Sequence, residues 1–275
     1  MDVRLIAMDL DGTTLQRDRC TFSPRLLRAL ESAHKRGVEI VPVTGRQFGL
    51  LPPALQEDYS WKRLAILCNG GQIRTFHTET LLHSLEIDPD ALIQLLRLAE
   101  KFGLPIEFSV NSKLHLTERS WTQQLPWEDL TFHRNVILAK HGCKVDSLEP
   151  MCGSGVEKVN LLCISPELRK EVEIALDSVA VSAVWSSATS MEITHPNATK
   201  GGALQRLCSI LDLPMSSVMA LGDSGNDITM LQQAGLGVAM GNAPENVKAA
   251  ADVCADRYDE DGAAKAIERY VLSDT

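Results

Sequence analysis

Residues 4–15, Arg-Leu-Ile-Ala-Met-Asp-Leu-Asp-Gly-Thr-Thr-Leu, constrain this chain most: an apolar run ends on two aspartates, Asp9 and Asp11, and turns at once on Gly12. A strand buried on both faces reads as a continuous apolar run, and such strands belong to parallel sheets covered by helices. Open α/β sheets carry their chemistry at the carboxyl edge of the strands, where Asp9 and Asp11 stand. Like charges this close repel in a low-dielectric site, and a divalent cation is the usual remedy. A carboxylate beside such a cation can also act as a nucleophile. The pair therefore points to metal-assisted phosphoryl transfer through an aspartyl-phosphate on Asp9, with Asp11 as general acid and base. A calcium loop of the EF-hand type also opens Asp-x-Asp, but its required glycine and glutamate are here Thr14 and Cys20.

Strand and helix patterns alternate at the N-terminal end. Residues 3–10 read as a strand and 23–36 as a helix with Ser23 as N-cap and Pro24 in its first turn. Residues 38–43 and 64–68 read as further strands, followed by a hairpin-like return over 73–76. This predicts an α/β fold, a doubly wound parallel sheet. The pattern changes near residue 85 to a helix over 88–101, short strands and an irregular stretch to about residue 155, then returns to alternation from Lys200. One domain, 1–84 with 190–275, is thus expected to be interrupted by an inserted α/β module over 85–189. Net charge is −9 with no basic block, which argues against a nucleic-acid partner. No run of eighteen apolar residues exists, so no membrane span is expected. Seven scattered cysteines, odd in number and without a Cys-x-x-Cys pair, fit a reducing compartment, and a cytoplasmic protein is expected. Oligomeric state is not specified by any feature of the sequence.

Three further blocks carry chemistry. Thr44-Gly45-Arg46 closes the second strand, where a hydroxyl and a backbone N–H can hold a phosphoryl oxygen; Arg46 is either a surface residue or a gate toward substrate. Lys200 stands near the start of a helix, where cations are disfavoured, and makes sense there if it reaches an anion. Gly222-Asp-Ser-Gly-Asn-Asp227 links an apolar strand to a helix and offers oxygen ligands of the kind Mg2+ takes. Asp223 is assigned to the metal, Asn226 to a phosphate oxygen or to orienting Lys200, and Asp227 to the metal shell or to lysine. No P-loop, His-Glu-x-x-His or Gly-x-Ser-x-Gly motif is present, and the glycines of 235–241 miss dinucleotide-binding spacing by one.

These four blocks, in this order, resemble the haloacid dehalogenase-like phosphatases, and specifically their Cof-type sugar-phosphatase branch. Asn69-Gly70-Gly71 and Met191-Glu-Ile-Thr194 are similar to that branch as well. The resemblance implies a Rossmann-like core bearing the catalytic residues and a large inserted α/β cap. It also implies Mg2+ held by Asp9, the Asp11 carbonyl and Asp223, and phosphate held by Thr44, Gly45, Lys200, Asn226 and the backbone of Leu10. The expected substrate is a small phosphorylated metabolite, a sugar phosphate foremost. A phosphomutase of the same superfamily shares these core motifs; a non-catalytic sugar-phosphate sensor is the more distant alternative, and loss of Asp9 or Asp11, both present here, would mark it. In the module, Trp121, Trp127, His115, His133 and Lys158 are candidates to face substrate, as are His195 and Asn197 before Lys200.

Overall fold

The computed structural model describes residues 2–131 and 133–273. Among them the strands are, in chain order, β1 (Leu5–Met8), β2 (Glu39–Pro42), β3 (Leu64–Leu67), β4 (Gln72–Thr75), β5 (Leu81–Ser84), β6 (Ile106–Val110), β7 (Lys113–Thr117), β8 (Gly142–Val145), β9 (Lys158–Leu161), β10 (Ser182–Trp185), β11 (Met191–Thr194), β12 (Val218–Gly222), β13 (Leu236–Ala239) and β14 (Val253–Cys254). The chain divides into two compact units: Met1–Arg46, Leu51–His83 and Thr199–Thr275 form the first, Gln47–Leu50 and Ser84–Ala198 the second.

The first unit is built on a parallel sheet in the order β14-β13-β12-β1-β2. All of Leu5–Met8 is buried, so the apolar run becomes the strand between β12 and β2. The chain leaves β1 toward β2 on one side and comes back to β12 on the other. That reversal opens a crevice at the carboxyl ends of β1 and β12, the place where such sheets receive ligands. Leu5 pairs with Val218 and Met8 with Leu221, so Asp9 and the loop after β12 emerge together. The helix Pro24–Lys35 starts where Ser23 Oγ accepts the Leu26 N–H at 3.1 Å. The helix Lys200–Ile210 starts where Thr199 Oγ1 accepts the Gly202 N–H at 3.0 Å, and it packs Leu204 and Leu207 against the sheet.

The third strand runs parallel to the chain leaving β2 and then turns into the hairpin-like return expected over 73–76. β3 follows the segment after β2 in parallel, through the Val43–Ile66 bridge and the bonds from the Thr44 N–H to the Ile66 carbonyl and from the Asn69 N–H to the Thr44 carbonyl, and makes an antiparallel ladder with β4 in a sheet ordered β3-β4-β5. The tight Asn69-Gly70-Gly71 turn sends the chain straight back along β3, which antiparallel pairing allows and parallel pairing does not.

The second unit holds a sheet in the order β10-β11-β9-β6-β7-β8, antiparallel except for β7 with β8. Its limits differ from 85–189 in two places. β11 is hydrogen-bonded between β10 and β9, so the unit runs on to Ala198, and Leu50 packs with Leu114, Leu116 and Leu138, which draws in residues 47–50. Ile106, Phe108 and Val110 join the helices Pro89–Phe102 and Arg169–Leu176 in one core. Period-two alternation turns Glu107 and Ser109 to the other face.

Glu107, with no exposed surface, accepts hydrogen bonds from Gln124, His133 and Asn160. Burial alone would raise its pKa, but His133 and the two amides outweigh burial and hold it below its ordinary 4.5. A carboxylate of this kind contributes stability above its unfolded pKa and loses it as pH falls through the folded value. Glu107→Gln is therefore expected to cost about 1–3 kcal/mol at pH 7, the gap closing progressively below pH 4.5. Urea midpoints at both pH values measure it, and a gap independent of pH contradicts the assignment. No helix among the described residues is long and apolar enough to cross a membrane.

Candidate active site

Asp9 leaves the carboxyl end of β1, and its Oδ1 accepts a hydrogen bond from Lys200 Nζ at 2.6 Å. The same ammonium donates to Asp227 Oδ1 at 2.6 Å. Asp9 is 5%, Lys200 1% and Asp227 0% exposed. Burial works against the lysine's charge, yet Asp227 and Asp9 outweigh it and push its pKa up. Asp227 also closes its own loop: Oδ2 accepts the N–H groups of Asp223 and Ser224, each at 2.9 Å. Its oxygens are turned to Lys200 and to the loop, which makes Asp227 the lysine's partner. Asn226 is directed elsewhere: its Nδ2 donates to Asn69 Oδ1 at 2.9 Å and its Oδ1 accepts the Ser224 hydroxyl. Orienting Lys200 thus falls to Asp9 and Asp227.

Asp9, Asp223 and Asp227 bring carboxylate oxygens within 4.8 Å of one another. Burial raises the Asp9 pKa well above its ordinary 3.8, Lys200 opposing and the neighbouring aspartates adding to the rise. Asp223 is pushed up to about 6 by burial and by Asp227. One ammonium against three carboxylates leaves the cluster short of positive charge, and hard oxygen donors of this kind suit a divalent metal. The shortfall has a measurable consequence. A carboxyl with a raised folded pKa contributes stability below its unfolded value, here 3.8, and loses it as pH rises through about 6. Asp223→Asn is therefore expected to stabilise the metal-free protein by about 1–3 kcal/mol above that range, and not at pH 3.5. The new amide keeps its oxygen toward Asn242 and donates to the Thr13 hydroxyl. Melting in chelator at the two pH values measures this, and an equal effect at both contradicts it.

Arg46 grips Asp11 with both ends of its fork, Nε to Oδ2 at 2.8 Å and Nη2 to Oδ1 at 2.6 Å, and reaches the Arg19 carbonyl at 3.3 Å. Thr44 Oγ1 accepts the Arg46 N–H at 3.1 Å, so the hydroxyl proton can be donated to an anion. Gly45 lies between them in the turn. The Leu10 carbonyl anchors the following turn by accepting from Thr14 and Leu15.

Two residues outside the sequence assignment join the site. Asn69 braces Asn226 from a left-handed turn, with φ of 51°, 54° and 100° at Cys68, Asn69 and Gly70. Gly70 is required there, because a Cβ would lie 2.1 Å from the Thr199 carbonyl oxygen. Asn242 donates to Asp223 and to Gly12. Their signals were an amide at a strand end, Asn-Gly-Gly for the first and Gly-Asn for the second. In the second unit, Trp121 packs with Leu114, Leu116 and Leu138, and Trp127 with Leu130 and Leu162. Lys158 pairs with Glu192 at 2.8 Å, and His133 with Glu107. His115 is half-buried on β7, while Asn197 donates its N–H to His195 Nδ1 within an exposed loop.

The profile of the haloacid dehalogenase-like hydrolases matches residues 6–267. The chain is 32% identical over 272 residues to 5-amino-6-(5-phospho-D-ribitylamino)uracil phosphatase YcsE of Bacillus subtilis, covering 99% of this chain and 97% of that one. It is 29% identical over 287 residues to pyridoxal phosphate phosphatase YbhA of Escherichia coli, covering 99% and 100%. Among solved structures it resembles the HAD subclass IIB sugar phosphatase BT4131, with a TM-score of 0.84, 27% identity and coverage of 98% and 100%. This chain carries a doubly wound sheet with an acid cluster at its switch point. The chain belongs to the haloacid dehalogenase-like hydrolases, in their Cof-type branch.

Proposed function

We propose that this phosphoric monoester hydrolase is Mg2+-dependent and acts on small organic phosphates, sugar phosphates foremost, through an aspartyl-phosphate on Asp9. The observation that carries the reading is the Asp9 carboxylate, buried at the switch point with Lys200 on one oxygen at 2.6 Å. Lys200 restrains Asp9 and keeps a positive charge beside the phosphoryl group. Thr44, Gly45, Asn226 and the Leu10 backbone hold phosphate oxygens. Asp9, Asp223 and the Asp11 carbonyl would hold Mg2+, which when bound neutralises the carboxylates and the charge on the phosphoryl oxygens.

In the first half-reaction an Asp9 oxygen forms a bond to phosphorus as the bond to the leaving oxygen breaks, and the Asp11 carboxyl gives that oxygen its proton. In the second, water attacks phosphorus, the Asp11 carboxylate takes the water's proton, and Asp9 leaves as a carboxylate with inorganic phosphate released. Asp11 must leave the Arg46 fork to act as an acid, so Arg46 gates the first step by exchanging Asp11 for a substrate oxygen. Substrate selection is assigned to the second unit, in the role of cap. The seven cysteines are free thiols, which supports a cytoplasmic setting.

The test is phosphate release from p-nitrophenyl phosphate and a panel of sugar phosphates, with and without Mg2+, for the wild type and Asp9→Asn. Release is expected to need both the metal and Asp9, with incorporation of labelled phosphate into the wild-type protein alone. Turnover by Asp9→Asn at the wild-type rate overturns the nucleophile, and an isomer in place of inorganic phosphate overturns the hydrolase.

A further inference from the structure

Asn242 stands three residues beyond the end of β13, in a turn that the Met240 N–H fastens to the Gly222 carbonyl and the Gly241 N–H to the Asp256 carbonyl. Its side chain joins three separate parts of the first unit. Nδ2 donates to the Gly12 carbonyl at 2.9 Å and to Asp223 Oδ2 at 3.1 Å, while Oδ1 accepts the Tyr258 N–H at 3.1 Å. The orientation of this amide is dictated by its surroundings. A carbonyl and a carboxylate can only accept, and a backbone N–H can only donate, so a flipped amide would lose all three bonds. The opposite oxygen of Asp223 is held as well, by the Thr13 hydroxyl at 3.2 Å.

We propose that Asn242 is the positioning residue of the metal centre, fixing the Asp223 carboxylate and the turn at Gly12 against each other and so setting the affinity for Mg2+. The inference rests on the reading of Asp223 and the Asp11 carbonyl as metal ligands. Gly12 follows Asp11 directly, so anchoring the Gly12 carbonyl holds the turn that presents the Asp11 carbonyl. A single amide thereby braces groups on two loops that are 211 residues apart in the chain (Gly12 to Asp223, 223 − 12). Mg2+ demands near-ideal octahedral geometry and tolerates misplaced oxygens poorly. Groups that hold a ligand in place typically govern metal affinity by 10- to 100-fold without touching the ion. Asn242 has that position here. Gly241 serves the same end, since a Cβ on it would lie 2.9 Å from the Arg257 backbone nitrogen and displace the turn.

The experiment is calorimetric titration of Mg2+ into the full-length, substrate-free protein: wild type, Asp223→Asn, Asn242→Ala and Asn242→Ser. The wild type is expected to bind, Asp223→Asn to lose binding, and Asn242→Ala to bind about 10- to 100-fold more weakly. Asn242→Ser, which retains one donor, is expected to fall between Asn242→Ala and the wild type. Far-UV circular dichroism of the metal-free proteins separates this loss from unfolding, and if Asn242→Ala does not fold, Asn242→Ser decides by the same criterion. Wild-type affinity in a folded Asn242 variant overturns the inference while leaving the metal reading intact. A wild type whose Mg2+ binding is unaffected by Asp223→Asn overturns the metal reading and this inference together.

Discussion

Lys200→Met is expected to lower phosphate release by at least about 100- to 1,000-fold and to destabilise the protein by about 3–5 kcal/mol. The ammonium is 1% exposed and lies 2.6 Å from each of two buried carboxylates. Methionine fills the space of the lysine stem but leaves both carboxylates without their counter-charge, the costly way to break a buried pair. The effect on chemistry follows from the same loss. Burial already drives the Asp9 pKa up, and Lys200 is the largest influence holding it down. Without the lysine, Asp9 takes up a proton more readily, and a protonated carboxyl is no nucleophile.

The sign of the pH dependence separates this from a packing defect. Lys200 has a pKa raised above its ordinary 10.5, so its contribution is fully present below that value and lost only as pH rises beyond it. In Lys200→Met, protonating Asp9 relieves the unpaired charge, so the variant is expected to regain part of its stability as pH falls from 8 to 5. Urea melts across that range, with initial rates alongside, measure both effects. A stability difference that does not change with pH shows that the lysine acts by packing alone.

The sequence revealed the site's neighbourhood more readily than its bracing, for a physical reason. A parallel strand buried on both faces is apolar along its whole length, so the first polar residues after it mark the sheet edge. Asp9, Thr44 and Asp223 are all found by that rule, and Lys200 by the conflict between a cation and a helix N-terminus. Asn69 and Asn242 are also the first polar residues after an apolar strand, but the rule does not give their partners. Asn69 meets Asn226 across 157 residues and Asn242 meets Gly12 across 230, and an amide at a strand end has nothing local to distinguish it from a turn. β8, Gly-Cys-Lys-Val, carries no apolar run, and its place in the sheet follows from its neighbour β7. The draw of residues 47–50 to the second unit lay in Leu50, one apolar side chain after a motif read for its chemistry.

Gly12→Ala is expected to separate stability from function by the widest margin. Gly12 has φ of +82°, a conformation that costs an alanine about 1 kcal/mol, so the fold should survive. The space beside it is another matter. A Cβ there would lie 2.4 Å from Asp223 Oδ2 and 2.9 Å from Asp223 Cγ. Asn242 holds both the Gly12 carbonyl, at 2.9 Å, and Asp223 Oδ2, at 3.1 Å, and of the two the carboxylate, the end of a side chain, yields at less cost than the backbone turn. The alanine therefore pushes Asp223 away from the turn at Gly12, and relief of the contact comes at the expense of the carboxylate proposed to hold the metal. A displacement of this size in a catalytic group costs about 100-fold in rate, and the loss should persist at saturating substrate. Excess Mg2+ would restore part of it, because a displaced ligand weakens binding without removing the carboxylate. Thermal melts, Mg2+ titrations and kcat on one preparation would show a protein near wild type in stability and far from it in turnover. Wild-type turnover at ordinary Mg2+ would mean that the turn at Gly12 yields in place of Asp223, and that the close approach of these two loops is not what holds the metal ligand in register.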